Sequence, residues 1–155
     1  VCVKLDTQGT ELSILRGGHD LLASHRIVGV EMEATLLAQP LMLGSGRFWE
    51  ACQYFESLGY ELLDLKPIFG PSRLGISQPR GKTYLNECDA VFALRQDVAA
   101  RLGVAHRAAL LAFYCCYSLY EEALSLLQAD QELRQVLAAS GCALPRLESA
   151  IRALA

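Results

Sequence analysis

The first twelve residues place a strand, an acidic turn and a helix start directly after one another. Residues 1–5, VCVKL, form a largely apolar run that ends at Asp6 and is followed by the turn residues TQGT. Thr10 can cap the next helix, and Glu11 in its first turn suits the positive end of the helix dipole. A strand that passes through such a turn into a helix is typical of α/β folds. We therefore predict a buried strand over residues 1–5, with Asp6 at a ligand-facing edge of the sheet.

Strand and helix patterns then alternate through the first 95 residues. The first helix is expected to bury one face, formed by Ile14, Leu15, Gly18, Leu21 and Leu22. The periodicity further predicts a strand at 26–33, a helix at 47–58 that Gly59 ends, a strand at 60–65 and a strand at 88–94. Short connections through helices imply parallel neighbours with right-handed crossovers. The last two strands are joined by a long segment without a helix pattern, so we expect them to pair antiparallel.

Two regions lie outside this alternation. Residues 66–87 are rich in proline and glycine and too long for an ordinary connection, which makes them a candidate lid or substrate loop. Residues 96–155 are rich in alanine and leucine, and we interpret them as an appendage of three or four helices that covers hydrophobic surface. The predicted fold is an α/β sheet with a reversed strand near one edge, followed by this helical appendage.

Composition restricts the classes of partner. The net charge of -3 gives no electrostatic basis for binding nucleic acid or an anionic membrane, and no apolar run is long enough to span a bilayer. Six cysteines lack a metal-ligand or disulfide spacing, and two of them, Cys2 and Cys88, lie in apolar strand patterns. Reduced, structural thiols in a cytoplasmic protein are the favoured interpretation over disulfides or metal ligands. The six are Cys2, Cys52, Cys88, Cys115, Cys116 and Cys142.

The strand pattern indicates three carboxylates as candidate site residues. Asp6 ends the first strand, while Glu31 and Glu33 lie near the end of the second, on the face opposite Val28 and Val30. If the two strands are neighbours, these side chains converge at the carboxyl end of the sheet. Such a cluster could supply a general base, orient a hydroxyl or hold a divalent cation. A purely structural role stays open for each, with Asp6 bonding to the turn and Glu11 capping the helix.

The sequence lacks the residue spacings that are typical of other kinds of catalytic, phosphate-binding or metal-binding site. No aspartic-protease triplet, nucleophile elbow or glycine-rich phosphate loop is present, and no residue is assigned as a metal ligand. The histidines, at positions 19, 25 and 106, have no ligand spacing and are expected to be solvated or to cap helices. Three basic residues in the long loop could meet an anionic substrate, although a solvated loop surface is the default for them. These are Arg73, Arg80 and Lys82.

The residues from Lys4 to Gly18, KLDTQGTELSILRGG, closely resemble the K-[IL]-D-x-x-G-x-E-x-x-[VIL]-L-x-G-[AG] block of FkbM-type methyltransferases. The similarity continues in order through VEME at 30–33, the helix at 48–59, GYELLDL at 59–65 and CDAVF at 88–92. It covers about the first 95 residues, and several blocks in the same order are more specific than one motif. The helical tail lies outside the resemblance.

The resemblance implies an S-adenosylmethionine-dependent O-methyltransferase with a Rossmann-like sheet of seven strands, acting on a hydroxyl of a sugar or other small molecule. The four predicted strands would be strands four to seven of that sheet, in the spatial order 4-5-7-6 with the last one antiparallel. Asp6 matches the family's acid beside the transferred methyl, with Glu31 and Glu33 as possible catalytic companions. The cofactor-binding residues implied are Asp6, Gln8, Gly9 and Glu11.

The chain departs from the family because it contains no counterpart of the glycine-rich cofactor loop or of the acid that holds the ribose. It also begins at Val1 without a methionine, so we expect it to be the acceptor-side half of the enzyme. Alone it should bind S-adenosylmethionine weakly or not at all. A first strand without its neighbour should leave an apolar edge that favours a homodimer.

A different class of function is the alternative. The sheet could be a scaffold for a non-catalytic interaction module, with the helices of residues 97–155 binding a protein partner. The aromatic residues of the tail support this alternative, namely Phe113, Tyr114, Tyr117 and Tyr120.

Overall fold

The computed structural model describes residues 1–37, 46–71 and 83–155. In these residues the strands β1 (Cys2–Leu5), β2 (Gly29–Thr35), β3 (Tyr60–Phe69) and β4 (Leu85–Leu94) form one mixed sheet in the order β1-β2-β4-β3. β1 and β2 are parallel, whereas β4 is antiparallel to both β2 and β3. The α/β class and the reversed strand are those that the strand and helix pattern predicts, and the strand order agrees with the order that the resemblance implies.

Three helices cover one face of the sheet. They are α1 (Glu11–Gly17), α2 (His19–Ala23) and α3 (Phe48–Ser57). Phe55 of α3 stacks on Phe92 of β4 with ring centroids 4.2 Å apart, and the Tyr60 hydroxyl donates a 2.5 Å hydrogen bond to the Ile27 carbonyl beneath. Gly59 ends α3 with a φ of 84°, a left-handed conformation that glycine adopts without strain, as the sequence predicts. On this face, alternate residues of β2 and β4 are apolar and buried, namely Val30, Met32, Ala90 and Phe92.

The first predicted helix differs from expectation in two respects. The helix is interrupted at the pair Gly17–Gly18, so two short helices stand where a single one was predicted. The buried face is set by Leu12, Leu15 and Leu22, while Ile14 and Leu21 are exposed, which corrects their predicted burial. A single periodicity continued over residues 14–22 spans this interruption, and it selects two exposed residues together with the buried Leu15 and Leu22.

The strands also differ in extent and burial. β1 is an edge strand in which Cys2 and Lys4 are exposed, so the prediction of a buried strand is wrong. β2 begins and ends two or three residues later than predicted, and β3 and β4 extend into the segment 66–87. The ends of the proposed lid are thus paired strands with Phe69 opposite Leu85, while its centre, with Arg73, Arg80 and Lys82, lies outside the described residues.

The tail contains α4 (Gln96–Ala99), α5 (Val104–Cys116), α6 (Tyr120–Ala129), α7 (Gln131–Ala139) and α8 (Leu144–Leu154). These are five helices in the described residues, more than the three or four predicted, because a short turn of helix follows β4. The buried guanidinium of Arg107 on α5 pairs with Asp130 and Glu132 and so ties α5 to α7. Asp130 also caps α7 by accepting a 2.9 Å hydrogen bond from the Leu133 amide.

Helix α5 lies on the second face of the sheet. A Cβ added to Gly29 of β2 would clash with the ring of Phe113, so the helix and the strand are in van der Waals contact there. Phe113 and Tyr114 are buried, and Tyr117 and Tyr120 are half-buried. The aromatic residues considered for partner binding thus face largely inward, and their burial joins the tail to the hydrophobic core of the sheet.

Candidate functional site

The turn after β1 is held from within by Glu11. Its carboxylate accepts hydrogen bonds from the Thr7 amide at 2.6 Å, the Thr7 hydroxyl at 3.1 Å and the Gly9 amide at 2.9 Å. Gln8 and Gly9 have φ angles of 57° and 105°, which fold the backbone around this carboxylate. Thr10 makes no capping hydrogen bond, contrary to expectation, because its hydroxyl bonds to that of Thr7 instead. Glu11 is only 3% exposed, and it organises the turn.

Gln8 connects the ends of the two parallel strands. Its Nε2 donates to Asp6 Oδ1 at 3.1 Å and to Glu33 Oε2 at 3.3 Å. The left-handed backbone of Gln8 turns the side chain back over the sheet edge, where a single amide can reach both carboxylates. The structure therefore brings two of the predicted residues, Asp6 and Glu33, together at the carboxyl ends of β1 and β2. We name Asp6, Gln8 and Glu33 the carboxylate rim.

Glu31 is not part of the carboxylate rim. It lies two residues earlier in β2, roughly 7 Å along the strand, where it pairs with Lys4 at 3.1 Å and accepts a 2.6 Å hydrogen bond from the Tyr117 hydroxyl. Burial raises the pKa of Glu31, but the hydrogen bonds from Tyr117 and Lys4 outweigh it, and the net pKa is lowered. This carboxylate is ionised, 7% exposed and engaged in joining the sheet to α5.

Glu33 has the opposite electrostatic surroundings. Its pKa is raised, first by burial and then by the negative charges of Glu87, Asp6, Glu11 and Asp89. Asp89 lies directly opposite Glu33 in the antiparallel pairing of β2 and β4, and like charges in that position repel. A half-buried carboxylate among other carboxylates is a stronger base than an ordinary glutamate and holds a proton to higher pH.

Several residues near the carboxylate rim were not singled out by sequence reasoning. Glu87 and Asp89 face the same side as Glu33, and this follows only from the register between β2 and β4. Arg47 bridges to Thr35 at the end of β2, with its guanidinium 5.4 Å from the ring centre of the exposed Trp49. The exposure of Trp49 is known only from the structure, and no pattern in the sequence distinguished it from a core residue of α3.

The four predicted cofactor-binding residues differ in whether their polar groups are accessible to a bound molecule. Asp6 and Gln8 are exposed and could contact a bound molecule, whereas the Gly9 amide and the Glu11 carboxylate are already paired with each other. Within residues 1–37, 46–71 and 83–155, no group of three or more His, Cys, Asp or Glu side chains could hold a metal ion. All six cysteines are free thiols; Cys88 is buried as expected, while Cys2 is exposed.

Comparison of the chain with protein-family models, with curated proteins and with solved structures finds no significant match. Among the described helices, none combines the length and apolar character that crossing a membrane requires.

Proposed function

We propose that this chain carries the acceptor side of an S-adenosylmethionine-dependent O-methyltransferase that acts on a hydroxyl of a sugar or other small molecule. The observation that carries the proposal is the carboxylate rim, in which Gln8 joins Asp6 to Glu33 at the carboxyl ends of two parallel strands. Ligands of open α/β sheets bind at that end. The strand order with an antiparallel β4 next to β2 fits the last four strands of a Rossmann-like methyltransferase sheet.

The residues of the carboxylate rim have distinct parts in this proposal. S-adenosylmethionine, when bound, supplies an electrophilic methyl group for an in-line displacement, so positioning the acceptor hydroxyl is the main task of the protein. Asp6 accepts a hydrogen bond from that hydroxyl, and Gln8 holds Asp6 in place. Glu33, with its raised pKa, takes the hydroxyl proton. Glu31 supports the site from below through Lys4 and Tyr117.

This sequence contains only some of the groups that would bind S-adenosylmethionine. Asp6 and Gln8 have free polar atoms, but Gly9 and Glu11 are satisfied within the turn, and the sequence contains no glycine-rich cofactor loop. We therefore expect the 155-residue chain to bind S-adenosylmethionine weakly or not at all. Isothermal titration calorimetry with the chain measures this directly, and an affinity in the micromolar range would contradict the expectation.

Substitutions in the carboxylate rim test the function in the protein encoded by the full reading frame. Asp6→Asn should lower kcat for methyl transfer about 10- to 100-fold, within the range of general acid–base and orientation effects. Glu33→Gln should lower kcat and remove the acid limb of the pH–rate profile. Transfer of labelled methyl to hydroxyl acceptors gives the rates, and Glu56→Gln on the exposed side of α3 is the matched control. Turnover that is unchanged in Asp6→Asn with an intact circular dichroism spectrum would remove Asp6 from the mechanism.

Self-association through β1 is a further part of the proposal. In the described residues β1 pairs only with β2, so its other edge presents unpaired backbone groups that a second copy could bond. Light scattering over a range of concentrations should show a dimer. Cys2→Pro should lower the dimer fraction, because backbone groups alternate along a strand and, with the Val1 carbonyl bonded to Val28 beside β2, the Cys2 N–H faces the free edge. A strict monomer at all concentrations would contradict this part.

A further inference from the structure

Two cysteines lie where the end of helix α5 meets the edge strand β1. Cys2 is the first residue of β1, and Cys116 is the last residue of α5. Both are free thiols with exposed side chains. They are far apart in the sequence, so the folding of α5 onto the sheet is what brings them near each other. Neither belongs to the carboxylate rim, which lies at the other end of β1.

The pairing of β1 with β2 determines the face on which the Cys2 side chain lies. Cys2 is opposite Gly29 in the parallel register, and Lys4 is opposite Glu31. Since paired residues of neighbouring strands share a face, Cys2 lies on the same face of the sheet as Gly29. This is the face that α5 covers, because a Cβ at Gly29 would clash with the Phe113 ring. Cys2 is therefore beside the point at which α5 contacts the sheet.

The flank of α5 that carries Cys116 faces β1. Ala109 lies two helical turns before Cys116 and thus on the same flank, and it lines a small hollow together with Val1 beside β1. Cys116 also directly precedes Tyr117, whose hydroxyl reaches across to β2. The helix therefore runs along the start of the two parallel strands, and its last residue is placed over the sheet edge where Cys2 lies.

The two thiols are close enough to affect each other's ionisation. Burial raises the pKa of Cys2, the Val1 amino group lowers it, and the Cys116 thiol raises it, with a net increase. The pKa of Tyr117 is raised first by burial and by its bond to Glu31, and both thiols add to the increase. Electrostatic effects between exposed groups fade beyond about 10 Å in physiological salt. Cys2, Cys116 and Tyr117 therefore form one cluster.

We propose that Cys2 and Cys116 are a reversible modification site, at which hydrogen peroxide converts the two thiols into one disulfide bond between β1 and α5. The Cys116 sulfur attacks the peroxide, which breaks the O–O bond, leaves a sulfenic acid on Cys116 and releases one water molecule. The Cys2 sulfur then attacks the Cys116 sulfur, which forms the S–S bond and releases a second water molecule. Peroxide takes up two electrons, one from each sulfur.

The fold favours this pairing over the others. A disulfide bond needs Cα atoms within about 7 Å, and Gly29 lets α5 approach the sheet closely beside Cys2. Cys116 is at the end of its helix, where the backbone can adjust more easily than in the middle. Cys115 points to a different flank, because successive residues of a helix are about 100° apart. Cys88 is buried within the sheet and away from peroxide.

The bond joins the helical tail to the edge of the sheet. It closes a long loop of the chain, and such a cross-link stabilises the fold mainly by restricting the unfolded state. It also holds the end of α5 in place, where Tyr117 bonds to Glu31. The modification site does not depend on the proposed function, and it would stand if the methyltransferase proposal were wrong.

Peroxide treatment of the dilute 155-residue chain tests the proposal. Titration of free thiols under denaturing conditions should show the loss of two of the six, and dithiothreitol should restore them. Mass spectrometry of a tryptic digest without reductant should show peptide 1–4 joined to peptide 108–134. The melting temperature should rise by several degrees on oxidation and return to its starting value on reduction.

Cysteine-to-serine variants identify the two sulfurs. Cys2→Ser and Cys116→Ser should each lose both the cross-link and the rise in melting temperature, while melting like the wild type under reducing conditions. Cys115→Ser should keep both effects, and it is needed because residues 115 and 116 fall in the same tryptic peptide. Cys142→Ser, between α7 and α8, is the matched control and should behave as the wild type does.

Three outcomes would overturn the proposal. A cross-link that persists in Cys116→Ser and disappears in Cys115→Ser would assign the bond to the wrong neighbour. A disulfide-linked dimer on a non-reducing gel would show that the exposed thiols pair between chains. Oxidation of Cys116 to sulfinic acid without any cross-link would show that Cys2 is out of its reach.

Discussion

Glu31 and Glu33 are two residues apart on the same face of β2, and their pKa values shift in opposite directions. The difference arises from their neighbours and not from their type. Tyr117 and Lys4 donate hydrogen bonds to Glu31, whereas Glu33 faces other carboxylates across the strand pairing. The Glu31 carboxylate is therefore held ionised in a structural ion pair, whereas the Glu33 carboxylate keeps a proton to higher pH than an ordinary glutamate.

Removing the hydroxyl of Tyr117 tests the structural part of this difference. Tyr117→Phe deletes a 2.6 Å hydrogen bond to a buried, charged acceptor, and it should lower the free energy of unfolding by about 1 to 3 kcal/mol. Urea denaturation at pH 7 measures the loss. Tyr120→Phe is the matched control, because within the described residues the Tyr120 hydroxyl bonds to the exposed Ser118 at 3.2 Å, and this bond should contribute little to stability. Equal losses in the two variants would contradict the role of the Glu31 pair.

The lowered pKa of Glu31 also predicts a dependence on pH. A carboxylate whose pKa is lower in the folded than in the unfolded state stabilises the fold above its unfolded pKa, and that stabilisation is lost as pH falls through the folded pKa. The difference in unfolding free energy between the wild type and Glu31→Gln should therefore be largest near neutral pH and shrink towards pH 3. Denaturation series at several pH values measure it. A difference that grows in acid would be inconsistent with the sign of the shift.

At the scale of elements, the turn after β1 depends on Glu11. Its carboxylate satisfies the amides of Thr7 and Gly9, so Glu11→Ala should cost about 1 to 3 kcal/mol and loosen the turn that holds Gln8 over Asp6. Faster amide hydrogen exchange at Thr7 and Gly9 should accompany the loss. Glu121→Ala, in the first turn of α6 and exposed, is the control. Unchanged exchange in Glu11→Ala would show that the turn is held by other contacts.

The packing of α5 on β2 depends on Gly29. Gly29→Ala adds a Cβ that clashes with the buried ring of Phe113, so we expect a loss of about 1 to 3 kcal/mol as the helix and strand separate. Gly17→Ala is a sharp control, because a Cβ at position 17 meets no atom within 4 Å and alanine favours the helix. Thermal melting should therefore show opposite shifts for the two variants. A tolerated Gly29→Ala would mean that Phe113 can move out of contact.

At the scale of the whole molecule, the tail and the sheet share one hydrophobic core. Removing residues 96–155 would uncover the face of the sheet that carries Gly29, Glu31 and Val91. We expect a chain of residues 1–95 to lose cooperative thermal unfolding and to bind the dye ANS, since a large apolar face becomes exposed. A cooperative transition in the shortened chain would instead support an independent domain with a boundary at residue 95.

Much of the architecture was predictable from local patterns. The alternation of strands and helices, together with the long connection before β4, predicts the mixed sheet and its reversed strand. Gly59 predicts the end of α3, because few other residues adopt its φ of 84° without strain. The pairing of Asp6 with Glu33 follows once β1 and β2 are placed side by side. The methyltransferase activity, its cofactor and its acceptor remain proposals that rest on sequence resemblance and on the geometry of the carboxylate rim.

The sequence by itself determined the order of elements and the residues at the strand ends, since hydrophobic periodicity and turn residues act over a few neighbouring positions. Only the tertiary structure decided which carboxylates are free. Glu31 is engaged because Tyr117, which directly follows α5 and lies 86 residues later in the chain, donates its hydroxyl hydrogen bond to it. The pKa of Glu33 is raised first by its burial in the folded sheet and then by carboxylates that other segments bring near it, Glu87 and Asp89 of β4 among them. Such contacts depend on register and packing between distant segments, which no local pattern specifies.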